Sequence, residues 1–240
     1  MSLALKLALA PLLVLQAMAT RRRAPVLPEA AGPRAGRIGE GGGELRLLIA
    51  GDSSAAGVGV SHQDLALAGH LTRALHRRLK RPVHWTLHAQ SGLSTRAVHE
   101  WLHRQTLSPA DMAVVVCGVN DVIEQVPVAR AVLQRAALAD WLLEAHGVAH
   151  VVFAPLPPVH RFALLPQPLR YVMGGEARRH DDALARWAAT RSDVSHLAIE
   201  YELTPVAMAS DGFHPGEAVY RVCGEALAAH IARVTRESKA

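Results

Sequence analysis

The chain has 240 residues, half of them hydrophobic and only 4% aromatic, which suits one α/β domain with an aliphatic core. Its formal charge of +5 raises nucleic acid or an anionic membrane as partners. The basic residues are scattered or sit on polar helix faces, as at Arg77, Arg78, Lys80 and Arg81. No aromatic residues lie between them to stack on bases, so no nucleic-acid partner is expected.

Residues 3–19 are almost wholly apolar, broken by Lys6 and Pro11 and followed by Arg21-Arg22-Arg23. The run is slightly short for a spanning helix. One reading is a retained anchor at a membrane surface, with the arginines on anionic head groups. A second is a signal peptide cut after Ala17-Met18-Ala19, or a spanning segment. A third is a helix packed on the domain. Arginines directly after the cleavage site argue against export, because positive charge tends to stay on the cytoplasmic side. The expected location is therefore the cytoplasm or a membrane surface contacted through residues 1–23, with export as the alternative.

Residues 24–44 contain Pro25, Pro28, Pro33 and Gly41-Gly42-Gly43 and read as a linker. The domain is expected over 45–240. There strand and helix patterns alternate, with strands at 45–50, 83–89, 112–117, 150–154 and 194–201. Helices are expected at 65–80, 95–104, 128–145, 176–190 and 217–236. The last of these carries Val219, Cys223, Leu227, Ile231 and Val234 at three- and four-residue steps, a stripe that packs on a sheet. Near-continuous apolar strands suit a five-stranded parallel sheet covered on both faces, in a three-layer α/β/α domain. Cys117, in an apolar strand, and Cys223 read as buried free thiols; neither a disulfide framework nor a metal spacing is present.

Open parallel sheets form their sites at the carboxyl ends of their strands. The first strand ends at Gly51-Asp52-Ser53-Ser54, the second at Gln90-Ser91-Gly92, and the third at Gly118-Val119-Asn120-Asp121. The segment before the last helix is Asp211-Gly212-Phe213-His214-Pro215. All four open onto one rim. A serine hydroxyl needs a base to become a nucleophile, and His214 can take its proton and later return it. Asp211, three residues earlier, can orient the imidazole. The oxyanion formed on attack needs fixed donors, and the candidates are the Ser53 and Gly92 N–H groups and the Asn120 amide. Asp52 and Asp121 read as structural acceptors that hold the loops.

These four blocks, in this order, resemble those of the SGNH/GDSL hydrolases. The resemblance spans residues 45–236. It implies a flavodoxin-like strand order 2-1-3-4-5 and hydrolysis of esters or thioesters without metal or cofactor. It also implies Ser53 as nucleophile, Asp211 and His214 as its triad partners, and Gly92 and Asn120 as oxyanion donors. One departure stands out. Family members often carry asparagine or arginine a few residues before the glycine, where this chain has His88-Ala89-Gln90.

A competing motif is His99-Glu100-Trp101-Leu102-His103, which matches the H-E-x-x-H zinc pattern. No histidine follows at position 109 to complete the longer form, and Glu124 falls after the third strand, so no metal is expected. Residues 155–175 form an apolar, proline-stiffened insertion near the rim. Phe162, Leu164, Leu165 and Leu169 there are candidates for the wall of an acyl pocket, or pack as an ordinary long loop. A wall favours lipid-like or aryl esters over acetylated carbohydrate, which is the alternative substrate class. A non-catalytic sheet domain binding a ligand at the same rim is a further alternative.

Overall fold

The computed structural model describes residues 3–200 and 204–237. Five parallel strands, β2 (Leu45–Gly51), β3 (Val83–Ala89), β4 (Met112–Val116), β5 (His150–Phe153) and β6 (Val194–His196), follow a short N-terminal strand β1 (Ala35–Ile38). The sheet order is β1-β3-β2-β4-β5-β6, with β1 antiparallel to β3. The parallel strands alone run 2-1-3-4-5, as expected. The sixth strand comes from residues expected to be linker.

Period-two side-chain alternation splits the core into two layers. Leu45, Leu47 and Ile49 of β2 and Met112 and Val114 of β4 face helices α2 (Leu67–Leu79) and α7 (Glu217–Glu237). Leu48, Ala50, Ala113 and Val115 face α3 (Thr95–Leu102), α5 (Val128–His146) and α6 (Leu169–Ala188) on the other side. Burial of both faces explains why these strands read as continuous apolar runs. A short helix, α4 (Val119–Ile123), follows β4, and an N-terminal helix, α1 (Leu3–Arg23), precedes the sheet. Among the described residues no helix is long and apolar enough to cross a membrane.

Two elements differ from expectation. The strand expected over 194–201 stops at His196, where the ring turns to Asp181 (2.8 Å) and only Leu197 adds one more bond to β5; Tyr201 lies outside the described residues. Helix α6 begins at Leu169, seven residues before the expected 176, so the last third of the expected loop is helical. Gly174 and Gly175 discourage a helix on propensity alone. A Cβ at Gly174, however, would stand 2.5 Å from the His160 Cβ, so this glycine serves close packing inside the helix.

Candidate active site

Strand β2 delivers the nucleophile candidate because it can run hard against β4. A Cβ at Gly51 would lie 2.0 Å from the Val116 carbonyl oxygen, so only glycine ends the strand there. The Asp52 N–H bonds to that carbonyl at 3.0 Å, which turns the chain and raises Ser53 at the rim. The Asp52 carboxylate, almost fully buried, accepts the Ser54 N–H at 3.0 Å. Burial pushes its pKa up to about 7, against the backbone hydrogen bonds and His214, which act to lower it. Tyr220 on α7 closes the loop from below, its hydroxyl donating to the Val58 carbonyl at 2.7 Å.

The loop before α7 carries the base. Asp211 Oδ1 accepts the N–H groups of Phe213 and His214, both at 2.9 Å, and Oδ2 accepts from His214 Nδ1 at 2.5 Å. A carboxylate can only accept, so Nδ1 carries the proton and Nε2 is left free to accept. Ser53 Oγ lies 3.0 Å from that Nε2. Burial works to raise the Asp211 pKa, but the bonds from His214 and Phe213 outweigh it and hold the carboxyl below its ordinary value. The relay is therefore assembled in the order proton donor, base and orienter. Ser54 also borders the site, but Ser53 is the serine that faces the imidazole.

The oxyanion-donor candidates are the Ser53 N–H, the Gly92 N–H and the Asn120 amide. Among the described residues neither the Ser53 N–H nor the Gly92 N–H donates a hydrogen bond within the protein. Asn120 uses one amide hydrogen on the Leu93 carbonyl at 2.9 Å, which leaves the other, and the side chain borders the cavity at the serine. Asp121, fully buried, accepts the Thr95 N–H at 2.8 Å and the Thr95 hydroxyl at 2.6 Å. It pairs with Arg135 on α5 at 3.0 Å, both side chains without exposure.

The departure before Gly92 has a structural counterpart. Glu29 Oε1 accepts the Ser91 N–H at 2.7 Å and the Ser91 hydroxyl at 2.8 Å. Its other oxygen pairs with Arg34, whose guanidinium donates to the Ala89 carbonyl at 2.6 Å. Support for the Gly92 loop thus comes from the N-terminal segment expected to be linker. Glu29 and Arg34 were missed because nothing in sequence ties them to residue 91.

A cavity of about 80 Å³ opens at the serine, bordered among others by Asp52, Ser53, Asn120, Phe162, Met208, Phe213, His214 and Cys223. Phe162 packs edge-on to Phe213, ring centres 5.0 Å apart. The other wall candidates do not border this cavity. Leu165 and Leu169 are buried in the α3–α5–α6 core, pulled inward as α6 starts. Leu164 touches the site only through its backbone, its N–H bonded to the Gly212 carbonyl at 3.3 Å. Phe213, Tyr220 and Met208 are among the wall residues missed. Phe213 was legible as the apolar neighbour of His214. Cys117 and Cys223 are free thiols, Cys117 buried and Cys223 partly covered, and burial pushes each up to about 12.

The zinc-type motif lies apart from this site. His99 and His103 meet each other, Nε2 to Nε2 at 3.1 Å, over the Trp141 ring, and Glu100 bonds Arg96 at 2.9 Å. Among the described residues no group of three or more His, Cys, Asp or Glu side chains could hold a metal ion.

Residues 49–222 match the model of the GDSL-like lipase/acylhydrolase family. No curated protein matches the chain in sequence. Solved structures share its fold. The inhibitor-bound aryl esterase of M. smegmatis has a TM-score of 0.64 at 18% identity, covering 79% of this chain and 99% of that one. The lipase Lip_vut3 from a goat rumen metagenome gives 0.61 at 17%, over 77% and 96%. The family 3 carbohydrate esterase of Clostridium thermocellum gives 0.60 at 13%, over 80% and 98%.

Proposed function

The chain belongs to the GDSL-like lipase/acylhydrolase family and is an ester-hydrolysing enzyme, and we propose that it opens carboxylic esters of short acyl groups on apolar, lipid-like or aryl alcohols. The observation that carries this reading is the Asp211–His214–Ser53 relay standing at the mouth of a small apolar cavity.

In this mechanism His214 Nε2 takes the Ser53 proton as Oγ attacks the carbonyl carbon, and Asp211 stabilises the imidazolium that results. The Ser53 and Gly92 N–H groups and the free Asn120 amide hydrogen receive the oxyanion. His214 then gives the proton to the departing alcohol, leaving an acyl group on Ser53. Water, deprotonated by the same imidazole, releases it.

Cavity size supports the acyl limit. An apolar cavity of about 150 Å³ accepts benzene, and this one is about 80 Å³, so a few carbons fill it. Longer chains have to run along the rim. That rim offers Pro155, Pro157, Ile199, Met208 and Phe213, which suit an apolar alcohol and give few hydrogen bonds to a sugar. Acetylated carbohydrate remains the second reading, because the same small cavity fits an acetyl group.

A fluorophosphonate probe should label the wild type and Ser54→Ala but not Ser53→Ala; labelling that survives Ser53→Ala sinks the mechanism. Across p-nitrophenyl esters of increasing acyl length, kcat/KM should peak at two to four carbons, about the length the cavity volume allows. A maximum at eight or more, roughly twice what the cavity could hold, would instead place the acyl chain elsewhere. Acetylxylan turned over faster than aryl acetates would favour the carbohydrate reading.

A further inference from the structure

Helix α1 presents its apolar residues on the side where a protein-surface helix would be polar. Leu9, Leu13, Gln16 and Thr20, at steps of four, three and four, form its half-covered side. Leu13 packs against the α3–α5–α6 core. Gln16 clamps the start of α6, its Nε2 donating to the Gln167 carbonyl at 2.7 Å and its Oε1 accepting the Leu169 N–H at 3.1 Å. The outward side holds Val14, Leu15 and Met18, which are 57%, 65% and 49% exposed. Water-facing helix surfaces carry polar residues, and a contiguous apolar patch marks a surface that something covers.

The last turn supplies the chemistry of the cover. Arg21, Arg22 and Arg23 are all exposed at the end of this face, and residues 3–23 contain no acidic residue. We propose that the outward face of α1 lies in the head-group boundary of an anionic lipid bilayer, with the three arginines on lipid phosphates. The Gln16 clamp ties α1 side-on to the enzyme body, so the helix lies along the surface with the domain beside it. The clamp falls seven residues after Phe162, which borders the cavity, and Tyr171 on the first turn of α6 is a further exposed apolar side chain, 64% exposed. Lipid-borne esters would then reach the serine without crossing bulk water. The proposal adds a location to the hydrolytic reading, and because membrane binding is measured without turnover, either can fail alone.

The test is co-sedimentation of the full chain with vesicles of phosphatidylcholine, with and without phosphatidylglycerol. The wild type should bind the anionic vesicles. The triple change Arg21→Gln, Arg22→Gln and Arg23→Gln should weaken that binding about a hundredfold. Leu15→Asp with Met18→Asp should remove it, and every variant should keep wild-type turnover of p-nitrophenyl acetate. The proposal is overturned by a wild type that stays in the supernatant, or by a triple variant that binds like wild type. It is equally overturned if sedimentation equilibrium shows a dimer that Leu15→Asp breaks, since a second copy then covers the face. A chain recovered from cells without residues 1–19 would also overturn it.

Discussion

Glu29→Ala asks whether the Gly92 N–H, an oxyanion donor in the proposed mechanism, is held in place from outside its own loop. Glu29 makes two hydrogen bonds to Ser91, one residue before Gly92. Burial acts to raise the Glu29 pKa, but Ser91 and Arg34 outweigh it and hold the carboxyl below its ordinary value, so the acceptor is charged at neutral pH. Its side chain is 31% exposed, so each bond is worth about 1 kcal/mol, below the range for fully desolvated charged pairs. Losing both frees the loop by about 2 kcal/mol, a factor of roughly thirty in its conformational equilibrium. If the Gly92 N–H then misses the developing charge, kcat should fall about tenfold or more. The ceiling is set by Asn120→Ala, which removes a donor outright and should cost about 10²–10³. KM should barely move, because these donors act on charge that exists only in the transition state. Glu29→Gln keeps an acceptor for Ser91 and should recover most of the rate. Steady-state kinetics on p-nitrophenyl acetate, beside urea unfolding, decide it. A Glu29→Ala enzyme that loses the stability but keeps kcat within about twofold would refute the clamp as a positioning device.

Two further outcomes follow from buried charge. Arg135→Met should destabilise by about 3–5 kcal/mol by leaving Asp121 uncompensated. Combined with Asp121→Asn it should cost less than the sum of the two, by about 2 kcal/mol or more in a urea-unfolding cycle; strict additivity would deny the pairing. Asp52 gives a pH signature. Its folded pKa, about 7, lies above the unfolded value of about 3.9, so the folded state holds the extra proton between them. Its contribution is fully present below about pH 4 and is lost as pH rises through about 7. It amounts to about 4 kcal/mol at most. Asp211 runs the other way, stabilising above its unfolded pKa and losing that as pH falls through its lowered folded value. Urea midpoints from pH 5 to 8 should therefore decline for wild type relative to Asp52→Asn. Parallel curves would show that Asp52 is already ionised throughout.

The parallel sheet and its rim were legible because both rest on local signals. Leu45–Gly51 and Met112–Val116 are apolar on both faces, which a two-sided sheet requires, and four short blocks end in residues whose chemistry is specific. What escaped the sequence was produced by contacts between distant segments. Strand β1 hides in a glycine- and proline-rich stretch because its four residues are fixed by pairing with β3, not by their own propensity. The start of α6 was masked by Gly174, whose missing side chain serves His160. Leu165 and Leu169 looked like Phe162 in sequence, and all three enter the same core; Phe162 alone of the three also borders the cavity. Arg135 did leave a trace: it sits on the buried stripe of Ala131, Leu138, Ala139 and Leu142, where a cation implies a buried carboxylate.

Glu29, Asn120 and Asp121 share one target. The loop carrying Gly92 has no side chain of its own to fix that N–H, and Gly92 is exposed with open space where a Cβ would be. It is held instead at Ser91 by Glu29, at Leu93 by Asn120 and at Thr95 by Asp121. Each of these bonds reaches a backbone N–H or carbonyl, which every residue type except proline supplies in full, and the Ser91 and Thr95 hydroxyls add a second bond each to Glu29 and Asp121. Support from outside the loop lets His88-Ala89-Gln90 stand where relatives of the family carry a supporting side chain. The cost moves to the N-terminal segment. Glu29 and Arg34 have to stay docked for the Gly92 loop to keep its place, so its support includes residues well before the first parallel strand. The Gln63 side-chain amide, buried and bonded to the carbonyls of Ala30 and Ala56 at 3.2 and 2.9 Å, fastens that segment to the nucleophile loop. The Ser53 and Gly92 loops are thereby referenced to the same short stretch of chain, and under the proposed mechanism that keeps nucleophile and oxyanion donor in register with each other.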